Sequence, residues 1–306
     1  MTTPTLAPED VLIIGAGPAG IASAYALEQA GISYKVIDRA HEIGHTWNSL
    51  YPSLKLNTSR YYSHMPEKPF PDSYGMFASG QQYHDYLLEF ITEHDFNIEL
   101  GIAVQRVMPE GGLWRVETSA GIWHYRSVIS ATGIYDNPQM PDIAGMDDFA
   151  GELYHAHDFN DPAQVADKRV LVIGNGPSGI DISVASGAVA ASTHIAIRSG
   201  VKLSRRYPLG LAKHTWLLLG EHLPKAWCRR LLKFAGQFDY GDTAQYGLAA
   251  PAPGSGGMTG YQGPELLDAV TSGAVTPMVG PERLTKTGVI FADGQQQDYD
   301  VIITAT

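Results

Sequence analysis

The chain has 306 residues and a formal net charge of −11, with 44% hydrophobic and 17% charged residues. This composition is typical of a globular protein long enough for two domains, and the acidic balance argues against nucleic acid as a partner, which would need clustered Lys and Arg. Cys228 is the only cysteine, which excludes a disulfide framework and a thiolate metal cluster. Since the chain also begins without a signal-like segment, we expect a cytoplasmic protein with no metal site.

The first predicted elements form a strand–helix–strand unit over 10–40, DVLIIGAGPAGIASAYALEQAGISYKVIDRA. The apolar run from Val11 to Ile14 predicts a buried parallel strand, and the alanine-rich helix after the glycine turn ends near Gly31. SYKVID at 33–38 predicts the second strand. This order and length indicate the right-handed βαβ unit of a dinucleotide-binding fold.

The next segments predict loops at 41–79, a helix at 81–94 and a β-rich region up to 133. The β-rich pieces are separated by glycine-containing turns, which is typical of a β-meander. They read IAVQRVM, LWRVET and IWHYRSVISATG. A proline-punctuated linker follows at 134–145.

A second βαβ unit opens at Arg169 and ends with HIAIRSG at 194–200, so VLVIGNGPSGIDIS nearly repeats VLIIGAGPAGIAS. The apolar stretch at 216–236 predicts one or two amphipathic helices, because charged residues interrupt it too often for a membrane span. An interfacial membrane role is the alternative, and these helices are also where we expect a homodimer contact, if the protein dimerises. A Gly/Pro/Ala loop at 247–257 and a β-rich piece complete the chain.

Each repeat carries the G-x-G-x-x-G pattern between a strand and a helix. The first glycine permits the tight turn, the second lets the backbone approach a pyrophosphate, and the third lets the helix pack against the strand. Because both copies have this context, chance is a weak explanation. The predicted phosphate-binding residues are Gly15, Gly17, Pro18, Ala19 and Gly20 in the first copy, and Gly174, Asn175, Gly176, Ser178 and Gly179 in the second.

The residue after the second strand distinguishes the two sites. Asp38, followed by Arg39, suits a ribose 2′-hydroxyl and would repel a 2′-phosphate, so the first loop should hold FAD or NAD. Arg198 and Ser199 suit a 2′-phosphate, so the second should prefer NADP; a solvated surface arginine is the alternative for Arg198. FAD with NADPH is the pair that makes chemical sense, since hydride passes from nicotinamide to flavin.

The electrons cannot go to a disulfide, because one cysteine cannot form the Cys-x-x-Cys of the disulfide reductases. FAGELYHAHDF at 149–159 resembles the fingerprint of the class B flavin-dependent monooxygenases, with Phe149, Gly151 and His155 in place and Phe159 where Trp or Tyr is usual. IGHTW, SLYPSLKLNTS, ATGIYDNPQMP and YGDTAQYGL also resemble segments of this family, the last in its indole-3-pyruvate-oxidising branch.

The resemblance implies roles for individual residues. Asn57 would sit beside the flavin N5 edge and the nicotinamide, and His155 would couple the NADP domain to the flavin domain. The alternatives are a turn-forming asparagine and a loop histidine. Further residues would contact FAD: His45, Thr46, Trp47, Val104, Thr132 and Gly133. For Trp47, a core tryptophan is the alternative.

The expected fold class is α/β, with two Rossmann-like dinucleotide-binding domains whose parallel sheets are accompanied by a β-meander. We predict an FAD domain at 1–162 and 280–306, interrupted by an NADP domain with a helical insert at 163–279. YRSVISATG at 125–133 is echoed by YDVIITAT at 299–306, where the copy stops one residue short. We therefore expect further chain after Thr306, without which FAD binding would be poor.

The resemblance implies an NADPH- and FAD-dependent monooxygenase. One oxygen atom of O₂ would pass from a C4a-hydroperoxyflavin to a small nucleophile: an amine, a sulfide or an indole-3-pyruvate-like keto acid. An NADPH oxidase or diaphorase-type flavin reductase and a Baeyer–Villiger enzyme are the catalytic alternatives. A flavin sensor or an inactive relative is less consistent with Arg198, Asn57 and His155 occurring together.

Overall fold

The computed structural model describes residues 9–135, 137–201, 203–236, 238–248 and 261–305, without the side chains of Tyr261 and Gln262. The chain divides into two units. The first comprises Met1–Leu50 and Arg60–Asn137, and the second Tyr51–Ser59 and Pro138–Thr306. Each unit contains one of the two glycine loops.

The first unit is a parallel sheet with helices and an antiparallel meander. Its helices are α1 (Pro18–Gln29), α2 (His45–Asn48), α3 (Arg60–Ser63) and α4 (Gly80–Thr92). Its strands are β1 (Val11–Ile14), β2 (Tyr34–Asp38), β3 (Ile98–Leu100), β4 (Val104–Glu110), β5 (Leu113–Thr118), β6 (Gly121–Tyr125) and β7 (Ser127–Ser130). The parallel order is β3-β2-β1-β7, and β4-β5-β6 form the meander.

Burial explains why β1 is an interior strand of this sheet. Leu12 and Ile13 are fully buried, one in each of two core clusters of this unit. The predicted β-rich segment 122–133 is two strands rather than one: β6 pairs antiparallel with β5, whereas β7 lies parallel to β1. The chain changes sheets at Arg126, whose N–H is bonded to the Asp10 carbonyl. Hydrophobic alternation cannot reveal such a change of partner.

The second unit has a five-stranded parallel sheet. The strands of the whole unit are β8 (Glu152–His155), β9 (Arg169–Ile173), β10 (Ser192–Ile197), β11 (Leu203–Ser204), β12 (Tyr261–Gln262), β13 (Thr276–Val279), β14 (Pro281–Leu284), β15 (Gly288–Phe291), β16 (Gln296–Asp298) and β17 (Val301–Thr304). Its helices are α5 (Pro177–Gly187), α6 (Lys213–Glu221), α7 (Lys225–Gly236) and α8 (Glu265–Thr271). The parallel order is β13-β10-β9-β17-β8, and β14-β15-β16 are antiparallel.

Asp300, just before β17, holds that strand against β9. Its carboxylate accepts from the Arg169 backbone N–H at 2.8 Å, from Nε at 3.1 Å and from Nη2 at 2.7 Å. The Arg169 side chain, followed by its backbone N–H, lowers the pKa of Asp300 to about 2. This bidentate contact fixes where the parallel register of β9 and β17 begins.

The predicted helical stretch at 216–236 is two helices, α6 and α7, with Pro224 between them. A Cβ on Gly220 of α6 would lie 2.8 Å from Cys228 Sγ, so glycine lets the two helices approach closely here. Within the described residues, no helix is long and apolar enough to cross a membrane. Most of the predicted loop at 247–257 lies outside the described residues, from 249 onward.

The units divide at different positions from the predicted domains. The first division falls near residue 137 rather than 162, and 280–306 lies in the second unit rather than with the first. The physical reason is strand pairing: β17 lies between β9 and β8 in one sheet, so the end of the described chain contributes to the same core as the second glycine loop. The prediction had assigned 280–306 to the FAD domain.

Candidate functional site

The first glycine loop, between β1 and α1, requires glycine at two positions. Gly15 has φ +111°, and a Cβ there would lie 2.3 Å from the Ala131 carbonyl oxygen. A Cβ on Gly20 would lie 1.8 Å from the Gly15 carbonyl oxygen. These contacts pack α1 tightly against the loop. Gly20 therefore contributes to helix packing and does not line the cavity.

Gly17 is different because its would-be Cβ has no protein atom within 4 Å. It precedes α1 with φ −84° and faces a cavity of about 590 Å³. The first turn of α1 therefore directs its unpaired backbone N–H groups toward open space, where they can bind an anion. Most of the predicted contacts of this unit line the same cavity: Gly15, Gly17, Pro18, Ala19, Asp38, Arg39, His45, Thr46, Trp47, Val104, Thr132 and Gly133.

Asp38 joins the end of β2 to the glycine loop. Its Oδ2 accepts from the Ala16 N–H at 2.7 Å, and its Oδ1 accepts from the Ala40 N–H at 2.8 Å. These bonds leave each oxygen a further lone pair. A carboxylate fixed in this way can accept from a ribose hydroxyl and repels a phosphate.

The predicted IGHTW motif packs beside the loop. Gly44, with φ +65°, donates its N–H to the Ala16 carbonyl at 3.2 Å, and α2 begins at the next residue. The Trp47 ring lies edge-on to Tyr83, with ring centroids 4.5 Å apart. His45 Nδ1 contacts Glu42 Oε1 at 2.7 Å, and this contact, with Asn48, lowers the pKa of Glu42.

The cavity has further lining residues that were not predicted. Ile102 donates its N–H to the Asp38 carbonyl at 2.8 Å and is buried, and Gln105, Arg106 and Val107 continue along β4. Their place depends on how the meander closes over β2, a long-range pairing without a local sequence signal. Ile134 and Tyr135, which follow the predicted Thr132–Gly133 pair, line the cavity as well.

The second glycine loop repeats the first almost atom for atom. Gly174 has φ +121°, and its would-be Cβ would lie 2.3 Å from the Ala305 carbonyl oxygen. A Cβ on Gly179 would lie 2.2 Å from the Gly174 carbonyl oxygen. Ala305 bonds to Ile173 just as Ala131 bonds to Ile14. The echo between 125–133 and 299–306 thus corresponds to the strand beside each loop.

The second loop differs in the residues that follow β10. Asn175, which takes the place of Ala16, donates from Nδ2 to the Gly200 carbonyl at 2.6 Å. This bond holds the turn after β10 against the loop, so the exposed Arg198 and Ser199 lie beside it. A Cβ on Gly280 would lie 3.5 Å from the Arg198 Cβ and Cγ, so glycine leaves room for the arginine stem. Gly176 precedes α5, and Ser178 lies in its first turn.

Asn57 and His155 both lie in the second unit. Asn57 is exposed, in the short segment 51–59. His155 ends β8, and its Nδ1 accepts from the His157 N–H at 3.1 Å, which leaves the ring proton on Nε2. That buried Nε2 has no hydrogen-bond partner among the described residues. Phe159 of the fingerprint is buried beside Tyr51, with ring centroids 6.3 Å apart, and acts as a core residue.

The two loops fit a dinucleotide each. The first offers a cavity, a fixed carboxylate and a helix N-terminus that Gly17 leaves open, because it has no side chain. The second offers the same backbone geometry with a cation after the strand instead of a carboxylate. The residues present therefore match FAD or NAD in the first unit and NADP in the second.

Comparison with known proteins gives the family. A sequence model of the pyridine nucleotide-disulphide oxidoreductase family matches residues 12–209. The rice (Oryza sativa subsp. japonica) indole-3-pyruvate monooxygenase YUCCA1 is 30% identical over 306 residues, covering 96% of this chain and 75% of that protein. Arabidopsis thaliana indole-3-pyruvate monooxygenase YUCCA6 is 29% identical, covering 96% of this chain and 75% of that protein. The chain belongs to the class B flavin-dependent monooxygenase family.

A solved structure agrees with this membership. The flavin-containing monooxygenase from Stenotrophomonas maltophilia has a TM-score of 0.72 and 27% identity, covering 97% of this chain and 78% of that one. The 306 residues of the present chain contain one cysteine, Cys228, and so do not hold the cysteine pair used in dithiol–disulfide exchange, after which the wider oxidoreductase family is named.

Proposed function

We propose that this enzyme binds FAD at the first glycine loop and NADPH at the second, and oxygenates a small organic acid of the indole-3-pyruvate type. The observation that supports this most directly is the contrast between Asp38 and Arg198. Two loops with nearly identical backbone geometry present a carboxylate at one site and a guanidinium at the other. Two different dinucleotides are therefore recognised, of which only the second carries a 2′-phosphate.

The chain's own residues would bind and orient the two cofactors. FAD supplies the redox centre that accepts hydride from NADPH and activates O₂. The N-terminus of α1 would hold the FAD pyrophosphate, and Asp38 would accept from its ribose. The N-terminus of α5 would hold the NADPH pyrophosphate, and Arg198 with Ser199 would bind the 2′-phosphate. Val104, Thr132 and Gly133 line the cavity at which FAD would lie.

Asn57 and His155 are the proposed functional side chains of the second unit. Asn57 would place its amide, both donor and acceptor, where oxygen is transferred. His155 would position the nucleotide unit, and its unpaired Nε2–H is a donor available for this. A general-base role is less favoured, because Nδ1 is already the acceptor from His157 N–H.

The relatives' names suggest the substrate. Because several are named indole-3-pyruvate monooxygenases, an α-keto acid with an aromatic side chain is the first substrate to test. Amines and sulfides, which are soft nucleophiles, are the other substrate classes to test. A ketone-oxidising Baeyer–Villiger activity has no better support, since the sequence relatives named here are of the indole-3-pyruvate type.

The test is to measure NADPH oxidation, O₂ uptake, H₂O₂ and oxygenated product together, with indole-3-pyruvate, an amine or a sulfide. We expect one product per NADPH with one substrate class. Arg198→Ala should raise the KM for NADPH about 10- to 100-fold and leave the KM for NADH nearly unchanged, because the variant loses a charge-assisted phosphate contact of about 1.5–3 kcal/mol. Equal effects on both cofactors would contradict the assignment of Arg198.

If all the O₂ consumed appears as H₂O₂ with every substrate, the result favours the oxidase alternative. The comparison of NADPH with NADH still tests the role of Arg198 separately from the type of reaction, since an oxidase would keep the preference for NADPH.

We also propose that the enzyme acts in the cytoplasm. A homodimer would bury the exposed apolar side chains of α6 and α7, which are Leu217, Leu219, Trp227 and Phe234.

A further inference from the structure

The segment 51–59 belongs to a different unit from the residues before and after it in the sequence. Residues up to Leu50 and from Arg60 onward lie in the first unit, whereas Tyr51–Ser59 lies in the second. Nine residues therefore leave one unit, pack on the other and return. We call Tyr51–Ser59 the strap.

Tyr51 anchors the start of the strap. Its hydroxyl donates to Asp181 Oδ2 at 3.0 Å, and Asp181 lies in the second turn of α5, the helix that follows the second glycine loop. The Tyr51 ring is 4% exposed and packs with Phe159 in the core cluster of β9 and β17. A buried tyrosine hydroxyl bonded to a carboxylate is a strong and directional contact.

Ser59 anchors the end of the strap. Its backbone N–H donates to His214 Nδ1, in α6, at 3.3 Å. Burial and, to a smaller extent, Lys213 lower the pKa of His214, which favours the neutral ring with Nδ1 as the acceptor. The strap is therefore held at both ends by the second unit, with Asn57 two residues before the second anchor.

We infer that Tyr51 and Asp181 are positioning residues, which fix the strap, and through it Asn57, relative to the helix of the nucleotide loop. The role of Asn57 in oxygen transfer rests on the proposed function. The anchor itself does not, because it follows from the contacts of the strap alone. Within the second unit, Asn57 is thus carried by a segment that is bonded to α5 at one end and to α6 at the other.

The variant Tyr51→Phe removes the anchoring hydroxyl and keeps the buried ring. Tyr154→Phe is the matched control, because Tyr154 packs against the same core cluster and its buried hydroxyl has no hydrogen-bond partner among the described residues. Asp181→Asn keeps an oxygen acceptor for Tyr51, whereas Asp181→Ala removes it. All are made in the full enzyme with its cofactors.

The first measurement is hydrogen–deuterium exchange of peptides that cover 51–59. We expect Tyr51→Phe and Asp181→Ala to raise the exchange rate about tenfold, the loss of one hydrogen bond to a charged group. Tyr154→Phe should stay close to the wild type, and Asp181→Asn should lie between the wild type and Asp181→Ala, because it keeps an acceptor but loses the charge. Equal exchange in Tyr51→Phe and the wild type would overturn the anchor.

The second measurement is the partition of electrons between product and H₂O₂. A loosened strap should raise the fraction of NADPH whose electrons appear in H₂O₂ severalfold, with little change in the KM for NADPH. Raised exchange without any change in this partition would overturn the positioning role. Should wild-type enzyme itself yield no oxygenated product, the proposed function fails, while the exchange comparison still decides whether Tyr51 and Asp181 anchor the strap.

Discussion

Gly15 and Gly17 stand two residues apart and have opposite requirements. A Cβ on Gly15 meets backbone at 2.3 Å in a φ region that side chains avoid, whereas Gly17 has ordinary backbone angles and open space before it. Gly15→Ala should therefore lower the free energy of unfolding by about 2–4 kcal/mol. Gly17→Ala should leave it within about 1 kcal/mol of the wild type.

Flavin affinity should separate these variants further. In Gly17→Ala the new methyl group occupies the space that a pyrophosphate needs, so flavin binding should weaken by about 1–3 kcal/mol in a protein that remains folded. Thermal unfolding and flavin titration of both variants are the measurements. Unchanged flavin affinity in Gly17→Ala would mean that the cavity beside α1 is not the flavin site.

At the residue scale, local rules predicted much of the first site. Gly15 and Gly17 of the glycine pattern, the carboxylate after β2, and residues 44–47 and 131–133 of the two motifs line one cavity. Ile102 and Arg106 were not foreseen, because Ile102 is placed by a bond to the Asp38 carbonyl, far away in the sequence, and Arg106 follows it on β4. Their sequence, by itself, indicates only a strand.

At the element scale, the contact between Asp300 and Arg169 predicts a dependence of stability on pH. The pKa of Asp300 is about 2 in the folded protein, below the ordinary value of 3.8. The contact therefore stabilises the fold above pH 4, and this stabilisation is lost as the pH falls toward 2. Asp300→Asn should destabilise the protein at neutral pH by about 1 kcal/mol, since both side chains are more than two-fifths exposed and solvent screens them.

Urea unfolding at pH 7 and at pH 2–3 tests this contact. The difference between Asp300→Asn and the wild type should shrink on acidification, because the wild type then loses the same charge. Asp298→Asn is the control, with its carboxylate 3.9 Å from Arg169 Nη1. A difference that stays constant across this pH range would show that the carboxylate charge contributes nothing.

The bounds of individual strands were easier to predict from the sequence than the partners of those strands. β1, β2 and the start of β9 were predicted almost to the residue, because buried apolar runs beside glycine turns have few alternatives. The strand predicted at 194–200 lies at Ser192–Ile197. The split of 122–133 into β6 and β7 was not predicted, and neither was the place of β17 in the second sheet. Both depend on which strand lies alongside, which apolar alternation does not encode.

At the scale of the whole molecule, each unit has its own core and its own candidate nucleotide loop. The two cofactors should therefore protect different parts of the chain. FAD at about 100 times its Kd should contribute about 2.7 kcal/mol of stability, and should slow deuterium exchange mainly in β1, α1 and β7. NADP⁺ should do the same in β9, α5 and β10.

To check this assignment, deuterium exchange is measured with FAD alone, with NADP⁺ alone and with both ligands together. Adenosine diphosphate is a useful control, because it offers a pyrophosphate without a 2′-phosphate and should protect the second loop more weakly than NADP⁺. Protection of the β1 loop by NADP⁺ in preference to the β9 loop would reverse the proposed order of the sites.

The pairing of Gly220 with Cys228 provides a chemical reporter for the helical insert. Cys228 is the only thiol in the sequence, and its sulfur lies against the place where Gly220 lacks a side chain. A maleimide attached to that sulfur would need part of the space that α6 now fills. Cys228 is half-buried, so the rate at which such a reagent modifies the protein depends on how closely α6 covers its sulfur, and binding of substrate or nucleotide that tightens the insert would be recorded as slower labelling.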